Sequence, residues 1–171
     1  MFKKFHPTIY AKSAYSVDFQ KYYNKGYRAL ILDVDNTLVE HGAPADKRAI
    51  EFFDKIRKIG YRTCIISNNH EPRILPFAKA VNSPYIYDAG KPGKGCYERA
   101  MRLCGSDRDN TIFMGDQLFT DIWGANRCGV PSILVKPIKQ DTELQIRLKR
   151  LGEKIVMPFY FRYRKKHPED L

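Results

Sequence analysis

The 171-residue chain has four cysteines, and none of them forms a CxxC pair or stands at metal-ligand spacing from a histidine. That leaves no paired-knuckle zinc site to read from the cysteines. Cys64 lies in an apolar run, and Cys96, Cys104 and Cys128 lie in helix-like segments. That pattern reads as buried free thiols and points to a reducing, cytoplasmic compartment. No apolar run approaches the roughly 18 residues needed to span a bilayer. The N-terminal MFKKFHPTIYAKSAY carries basic residues without an apolar stretch behind them, so it does not read as a signal peptide. There is no internal repeat and no low-complexity segment. The four histidines offer no ligand pair. His41 and His70 follow the ends of apolar runs, where they could border a site's entrance, and neither is assigned a catalytic role.

Acidic residues are scarce at both ends. Residues 1–28 hold 6 Lys/Arg against 1 Asp/Glu, and residues 136–171 hold 10 against 5. Residues 29–135 hold 14 against 13, so a near-neutral middle carries nearly none of the net charge of +11. Basic ends on a neutral core suit an anionic partner too large for a pocket, or simply solubility.

What the middle does have is five short apolar runs: 29–35, 63–67, 84–88, 111–115 and 131–135. Each is nearly continuous rather than alternating, as strands buried on both faces are. Helical patterns lie between them. Residues 46–59 place Ile50, Phe53, Ile56 and Ile59 at helical spacing before Gly60, residues 94–104 end at Gly105, and residues 118–128 put Ile122, Ala125 and Cys128 on one face. A shorter helix follows Pro72. Residues 140–154 read as an additional helix, the aromatic and basic tail after it has no clear pattern, and 165–171 reads as loose. Strand–helix alternation with short links predicts an α/β fold: a three-layer α/β/α sandwich on a mostly parallel, Rossmann-like sheet. The whole chain reads as one domain, with a core at 29–135, a basic N-terminal extension at 1–28, and a C-terminal helix and tail at 136–171.

Polar residues gather at the C-terminal ends of these runs, where open parallel sheets collect ligands. Asp33-Val34-Asp35-Asn36-Thr37 closes the first run. In extended backbone, residues i and i+2 point the same way, so Asp33 and Asp35 share one site. Paired carboxylates suit a hard divalent cation and acid–base work, and Asn36 and Thr37 add donors. The second run ends in Ser67-Asn68-Asn69, a turn able to bind phosphate oxygens or to serve as an ordinary N-cap. The third leads to Asp88-Ala89-Gly90-Lys91-Pro92-Gly93-Lys94, where Lys91 brings a positive charge, with Lys94 as a rival one residue further into the helix. The fourth ends in Gly115-Asp116, with Asp121 one helical turn beyond. Asp116 offers another carboxylate for a metal. Asp121 reads either as a partner for Lys91 or metal-bound water, or as favourable charge near a helix N-terminus.

This ordered set, DVDNT, SNN, GKP and GDQLFTD, resembles the haloacid dehalogenase-like (HAD) superfamily over residues 29–135. The resemblance implies a magnesium-dependent phosphatase. Asp33 is then the nucleophile that becomes an aspartyl-phosphate, and Asp35 protonates the leaving oxygen and later deprotonates water. The Asp35 backbone carbonyl, Asp33 and Asp116 ligate Mg2+. Ser67 and Asn68 hold the phosphoryl oxygens, with Asn36 and Thr37 as further substrate-side donors. Lys91 offsets developing charge and Asp121 supports the metal site. In that superfamily, inserted segments form caps. Only 32 positions separate Asp35 from Ser67 and 24 separate Ser67 from Lys91, which one helix and one strand fill each time, so no cap domain is expected.

Within the superfamily the chain resembles the small capless branch called YqeG, related to phosphatidylglycerophosphate phosphatases. That resemblance extends to Pro7-Thr8, Tyr15-Ser16-Val17 and Gly26-Tyr27-Arg28. It implies a phosphorylated lipid head group as substrate and peripheral contact with an anionic phospholipid surface on the inner membrane face. FYFRYRKK in the tail fits the headgroup level equally well as a packed extension covering the sheet edge. Two alternatives carry different chemistry: a phosphatase of a soluble sugar or nucleotide phosphate, and a nucleic-acid-binding module on the same fold. A pure binding module has no use for both Asp33 and Asp35, which argues against nucleic acid as partner. A phospho-accepting receiver domain would place its reactive Asp after the third strand, and the order found here does not fit it.

Overall fold

The structure is a computed structural model describing residues 2–140 and 144–167. Six strands form one parallel sheet: β1 (Ile9–Ala11), β2 (Ala29–Leu32), β3 (Arg62–Ile66), β4 (Tyr85–Ile86), β5 (Thr111–Gly115) and β6 (Ser132–Val135). Their spatial order is β1-β6-β5-β2-β3-β4. The helices are α1 (Phe19–Asn24), α2 (Lys47–Ile59), α3 (Glu71–Ala80), α4 (Lys94–Cys104), α5 (Trp123–Arg127) and α6 (Leu144–Lys166).

Residue alternation in β2 shows why its sequence is apolar throughout. Leu30 and Leu32 face a cluster built with Phe53, Ile56 and Phe77 from α2 and α3. Ala29 and Ile31 face the opposite cluster, with Tyr97 and Ala100 from α4 and Ala125 from α5. A strand covered by helices on both faces has no solvent side on which to put polar residues. This is the expected three-layer sandwich, and among the described residues no cap interrupts it.

β2 is central, with β3 on one side and β5 on the other. The chain builds outward through β3 and β4, then crosses back to lay β5 against β2. The crevice at the C-terminal ends of β2 and β5 is therefore the topological switch point, where such sheets bind ligands.

Several elements differ from the sequence reading. β2 stops at Leu32, because the chain turns through Asn36 at φ 60°, and the next backbone bridge joins Asp35 to Val39. β4 keeps only two of its five expected residues, since Asp88 takes φ 43° and leaves the strand direction. Residues 118–128 do form helix, but the first turn, Leu118–Ile122, is π-helical before α5, and Cys128 is only half-buried. The expected strand 131–135 begins at Ser132. The helix expected at 140–154 begins at Leu144 and runs on to Lys166, taking in the tail. Residues 141–143 lie outside the described residues, as do 168–171 of the segment read as loose.

The N-terminal segment is part of the sheet. Ile9, Tyr10 and Ala11 pair with Ile133, Leu134 and Val135, and Phe19 and Tyr22 of α1 enter the main core. The two basic ends also pack on each other through rings, Phe2 with Phe159, His6 with Tyr160 and Tyr10 with Phe161. Such edge and tilted contacts add modestly to area burial. Gly152 lets α6 approach closely, because a Cβ there would meet the Phe119 ring at 2.9 Å. All four cysteines are free, three of them buried. Among the described residues no helix is long and apolar enough to cross a membrane.

Candidate active site

The floor of the switch-point crevice is ionic. Asp33 leaves β2 while its N–H still bonds the Met114 carbonyl of β5 at 2.9 Å, which fixes the carboxylate over the sheet end. Lys91, from the loop after β4, places Nζ 2.7 Å from Asp33 Oδ1 and 2.7 Å from Asp121 Oδ1. Asp121 accepts on its other oxygen from the Gln117 N–H at 3.0 Å. All three side chains are buried. Gly115 makes the arrangement possible: a Cβ there would stand 2.6 Å from the Asp121 carboxyl carbon. The π turn is braced by the Tyr97 hydroxyl, which donates to the Thr120 and Asp121 carbonyls at 3.1 and 2.9 Å.

Asp116, at the end of β5, accepts from Thr37 Oγ1 at 3.2 Å. Carboxylate oxygens of Asp33, Asp116 and Asp121 lie within 4.8 Å of one another. Hard oxygen donors clustered this way fit a small divalent cation. The titration properties follow from crowding. Burial, countered by Lys91 and reinforced by Asp121 and Asp35, pushes Asp33 up to about 7. Burial also raises Asp116 well above the ordinary carboxylate range, against the pull of Arg150. Burial opposes the charge on Lys91, but Asp121 and Asp33 outweigh it and hold the ammonium above the usual lysine value. Buried carboxylates held this way favour a cation that relieves their repulsion.

Asp35 points into a different set of partners. Its Oδ1 accepts from the Gly42 N–H and from Arg73 Nη2, both at 2.7 Å, and its Oδ2 accepts from Asn69 Nδ2 at 2.7 Å. Asp33 and Asp35 nevertheless line one cavity of about 310 Å3, together with Asn36, Ser67, Asn68 and Lys91. The Ser67 hydroxyl accepts from the Asn69 N–H at 3.1 Å, a role that leaves its own hydrogen to donate. The Asn68 amide is committed to Lys91: Oδ1 accepts from Lys91 N at 2.8 Å and Nδ2 donates to Lys91 O at 3.1 Å. It shapes the loop that presents the lysine.

Of the two further residues read from the sequence as substrate-side donors, Thr37 is engaged elsewhere as a donor, and Asn36 is engaged as an acceptor while lining the cavity. Thr37 turns to Asp116, and Asn36 Oδ1 accepts from the Lys139 N–H at 3.3 Å. Lys94 is exposed at the start of α4 and does not line the cavity, whereas Lys91 does. His41 lines the cavity, whereas His70 is exposed beside Asp88 at 2.7 Å.

The sequence reading missed the wall. α6 contributes Gln145, Ile146 and Lys149 to the same cavity. One turn on, Arg150 bonds the Asp116 carboxylate through Nη2 and the Asp116 carbonyl through Nη1 at 2.5 Å. Glu153 holds that arginine at 3.0 Å while accepting from the Leu118 N–H at 2.8 Å. A guanidinium thus offsets the charge of one carboxylate of the acidic cluster. Arg73 was missed as well, although a cation four residues beyond the SNN turn is a signal that helical spacing makes readable, and Asn69 was read as part of that turn but not as a partner of Asp35.

Fold and site together define a HAD-like hydrolase, and comparison with known proteins agrees. The HAD-hydrolase-like family model matches residues 88–150. Over 159 residues the chain is 35% identical to the Bacillus subtilis (strain 168) protein named Probable phosphatase YqeG, covering 92% of each. The chain belongs to that family of HAD-like phosphatases. Among solved structures, it is similar to an uncharacterized protein from Listeria monocytogenes serotype 4b, with a TM-score of 0.54 and 19% identity over 68% of this chain and 84% of that one. A HAD family hydrolase from Streptomyces avermitilis MA-4680 gives a TM-score of 0.51 and 16% identity over 64% and 72%. At these identities the likeness is one of fold.

Proposed function

We propose that this phosphatase hydrolyses phosphomonoesters through an aspartyl-phosphate on Asp33, with Mg2+ held by Asp33, Asp116 and the Asp35 carbonyl. The observation that carries it is the placement of Asp33: a buried carboxylate at the end of the central strand, 2.7 Å from a buried lysine and clustered with Asp116 and Asp121. A bound divalent cation would relieve repulsion among these carboxylates and orient the phosphoryl group.

The chain's own residues supply the rest. The Asp33 oxygen not engaged by Lys91 attacks phosphorus, and the bond to the leaving oxygen breaks. Asp35 gives that oxygen a proton, then takes one from the water that cleaves the acyl-phosphate. Each Asp35 oxygen already accepts a hydrogen bond, so this work exchanges the Asn69 or Arg73 contact for one with the leaving group. Ser67 donates to a phosphoryl oxygen, and Lys91 offsets charge growing on the transferred group. Asp121 orients Lys91, and Thr37 orients Asp116.

The finer reading is that the substrate is the phosphomonoester head group of phosphatidylglycerophosphate, reached by a cytoplasmic protein peripheral on the inner membrane face. Supporting it are the likeness to the YqeG branch, the free thiols and the basic ends. The test has two stages. Asp33→Asn should lower Mg2+-dependent release of phosphate from a generic ester by at least about 10^3-fold; retained turnover removes Asp33 as nucleophile. A screen of phosphatidylglycerophosphate beside sugar phosphates, nucleotides and phosphorylated nucleic-acid ends then decides the substrate, and preference for a soluble ester rejects the lipid.

A further inference from the structure

Helix α6 has two apolar faces. Val156 and Tyr160 point inward and are buried against the body of the protein. On the other side Leu144, Leu148, Leu151 and Ile155 are 69%, 57%, 57% and 62% exposed. At about 100° per residue these four fall within an arc of roughly 60°, opposite the buried side. A helix that only packs on a domain needs one such face. The exposed one borders a groove of about 670 Å3 between α6 and residues 136–140, floored by Pro137 and Ile138 as well as the leucines. Its rim is cationic: Lys136, Lys139, Arg147 and Lys154 line it beside Arg150, which is already paired with Asp116 and Glu153. Among the described residues no carboxylate lines it, although Glu40 reaches Lys139 at 3.1 Å. From 144 to 166 the helix holds eight Lys/Arg and a single acid, Glu153, which is turned inward onto Arg150.

We infer that this face of α6 is the docking surface for an anionic lipid bilayer. Aliphatic side chains enter the acyl boundary while the lysines and arginines beside them meet lipid phosphates, as in interfacial amphipathic helices. Charge decides the occupant, since an apolar face whose described rim carries Lys136, Arg147 and Lys154 matches an anionic lipid surface, and a second copy of the chain would bring the same cations against it. The same two turns of α6 also line the catalytic cavity through Gln145 and Lys149. Docking therefore sets the cavity close to the headgroups. The inference deepens the lipid-substrate reading above and is tested without turnover, so the two fail separately.

The full chain is sedimented with phosphatidylcholine vesicles and with mixed phosphatidylcholine–phosphatidylglycerol vesicles. Binding is expected to the mixed vesicles and to weaken with salt. Leu148→Glu combined with Leu151→Glu should lower partitioning by at least about a hundredfold, with unchanged melting and unchanged hydrolysis of a small soluble ester. Lys136→Gln and Lys154→Gln should each cost about fivefold on the mixed vesicles only. Equal partitioning of the wild type and the double leucine variant overturns the inference. So does a dimer in the wild type that the leucine changes dissolve, without any vesicle binding, because a second copy then covers the face. Loss of vesicle binding in the variant, in a protein that ignores lipid phosphomonoesters, keeps the docking surface and rejects the substrate.

Discussion

The floor and the wall of the cavity are built from different parts of the chain and by different rules. The floor collects Asp33, Lys91, Asp116 and Asp121 beyond the ends of buried strands: Lys91 pairs with Asp33 and Asp121 at 2.7 Å, Asp121 also accepts from the Gln117 N–H, and Asp116 accepts from the Thr37 hydroxyl at 3.2 Å. Among the described residues, the wall is one long helix that reaches the site through Gln145, Ile146, Lys149 and Arg150. Removing a member of the floor leaves a buried charge without its partner. Removing Arg150 from the wall takes the guanidinium from a buried Asp116 that keeps its Thr37 hydrogen bond. The difference teaches that Lys91 holds the floor's charges together from within, while the wall tunes one of them, Asp116, from outside.

Substitutions should separate the two. Lys91→Met is expected to be the most damaging, because it leaves Asp33 and Asp121 buried beside each other; a loss of about 3–5 kcal/mol in a denaturant titration would mark it. Asp116→Ala should raise the magnesium requirement by about 10–100-fold, measured as the concentration giving half-maximal activity; an unmoved titration would remove it as a ligand. At the wall, Arg150→Gln should act in the opposite direction. Freed of its guanidinium, Asp116 is expected to bind Mg2+ about tenfold more tightly in calorimetry, and weaker binding would show that the arginine supports the metal site.

The smallest effect belongs to the N-terminal flank. The Tyr15 hydroxyl donates to the Leu38 carbonyl at 2.6 Å, just beyond the DVDNT motif. Burial, with Asp46 nearby, pushes this phenol up to about 12. The unfolded chain ionises first, near the ordinary value of about 10. The contact therefore stabilises fully below that value and is lost as pH rises through the folded one. Tyr15→Phe should cost about 1 kcal/mol at neutral pH and flatten the alkaline limb of a melting profile.

The same division explains what could be read from the sequence. Asp33, Asp116 and Lys91 were legible because each closes or closely follows an apolar run, and parallel strands bring such ends to one crevice. Arg150 was not, since it lies 34 residues beyond Asp116 in a helix whose two apolar faces blur the usual amphipathic period. β1 was missed for a simpler reason: Ile9-Tyr10-Ala11 is too short to form a run, and only pairing with β6 makes it a strand. Thr37 and Asn68 were recognised as site residues, but their partners depend on how loops fold back, which spacing along the chain does not encode.

Mass spectrometry of the acid-quenched enzyme, mixed with Mg2+ and a phosphomonoester during turnover, reaches the chemistry of residue 33 without intermediaries. One phosphoryl group on the peptide that carries Asp33, gone in Asp33→Asn, is the expected outcome. Steady hydrolysis with that peptide unmodified, or an adduct on some other residue, would contradict covalent transfer to this carboxylate.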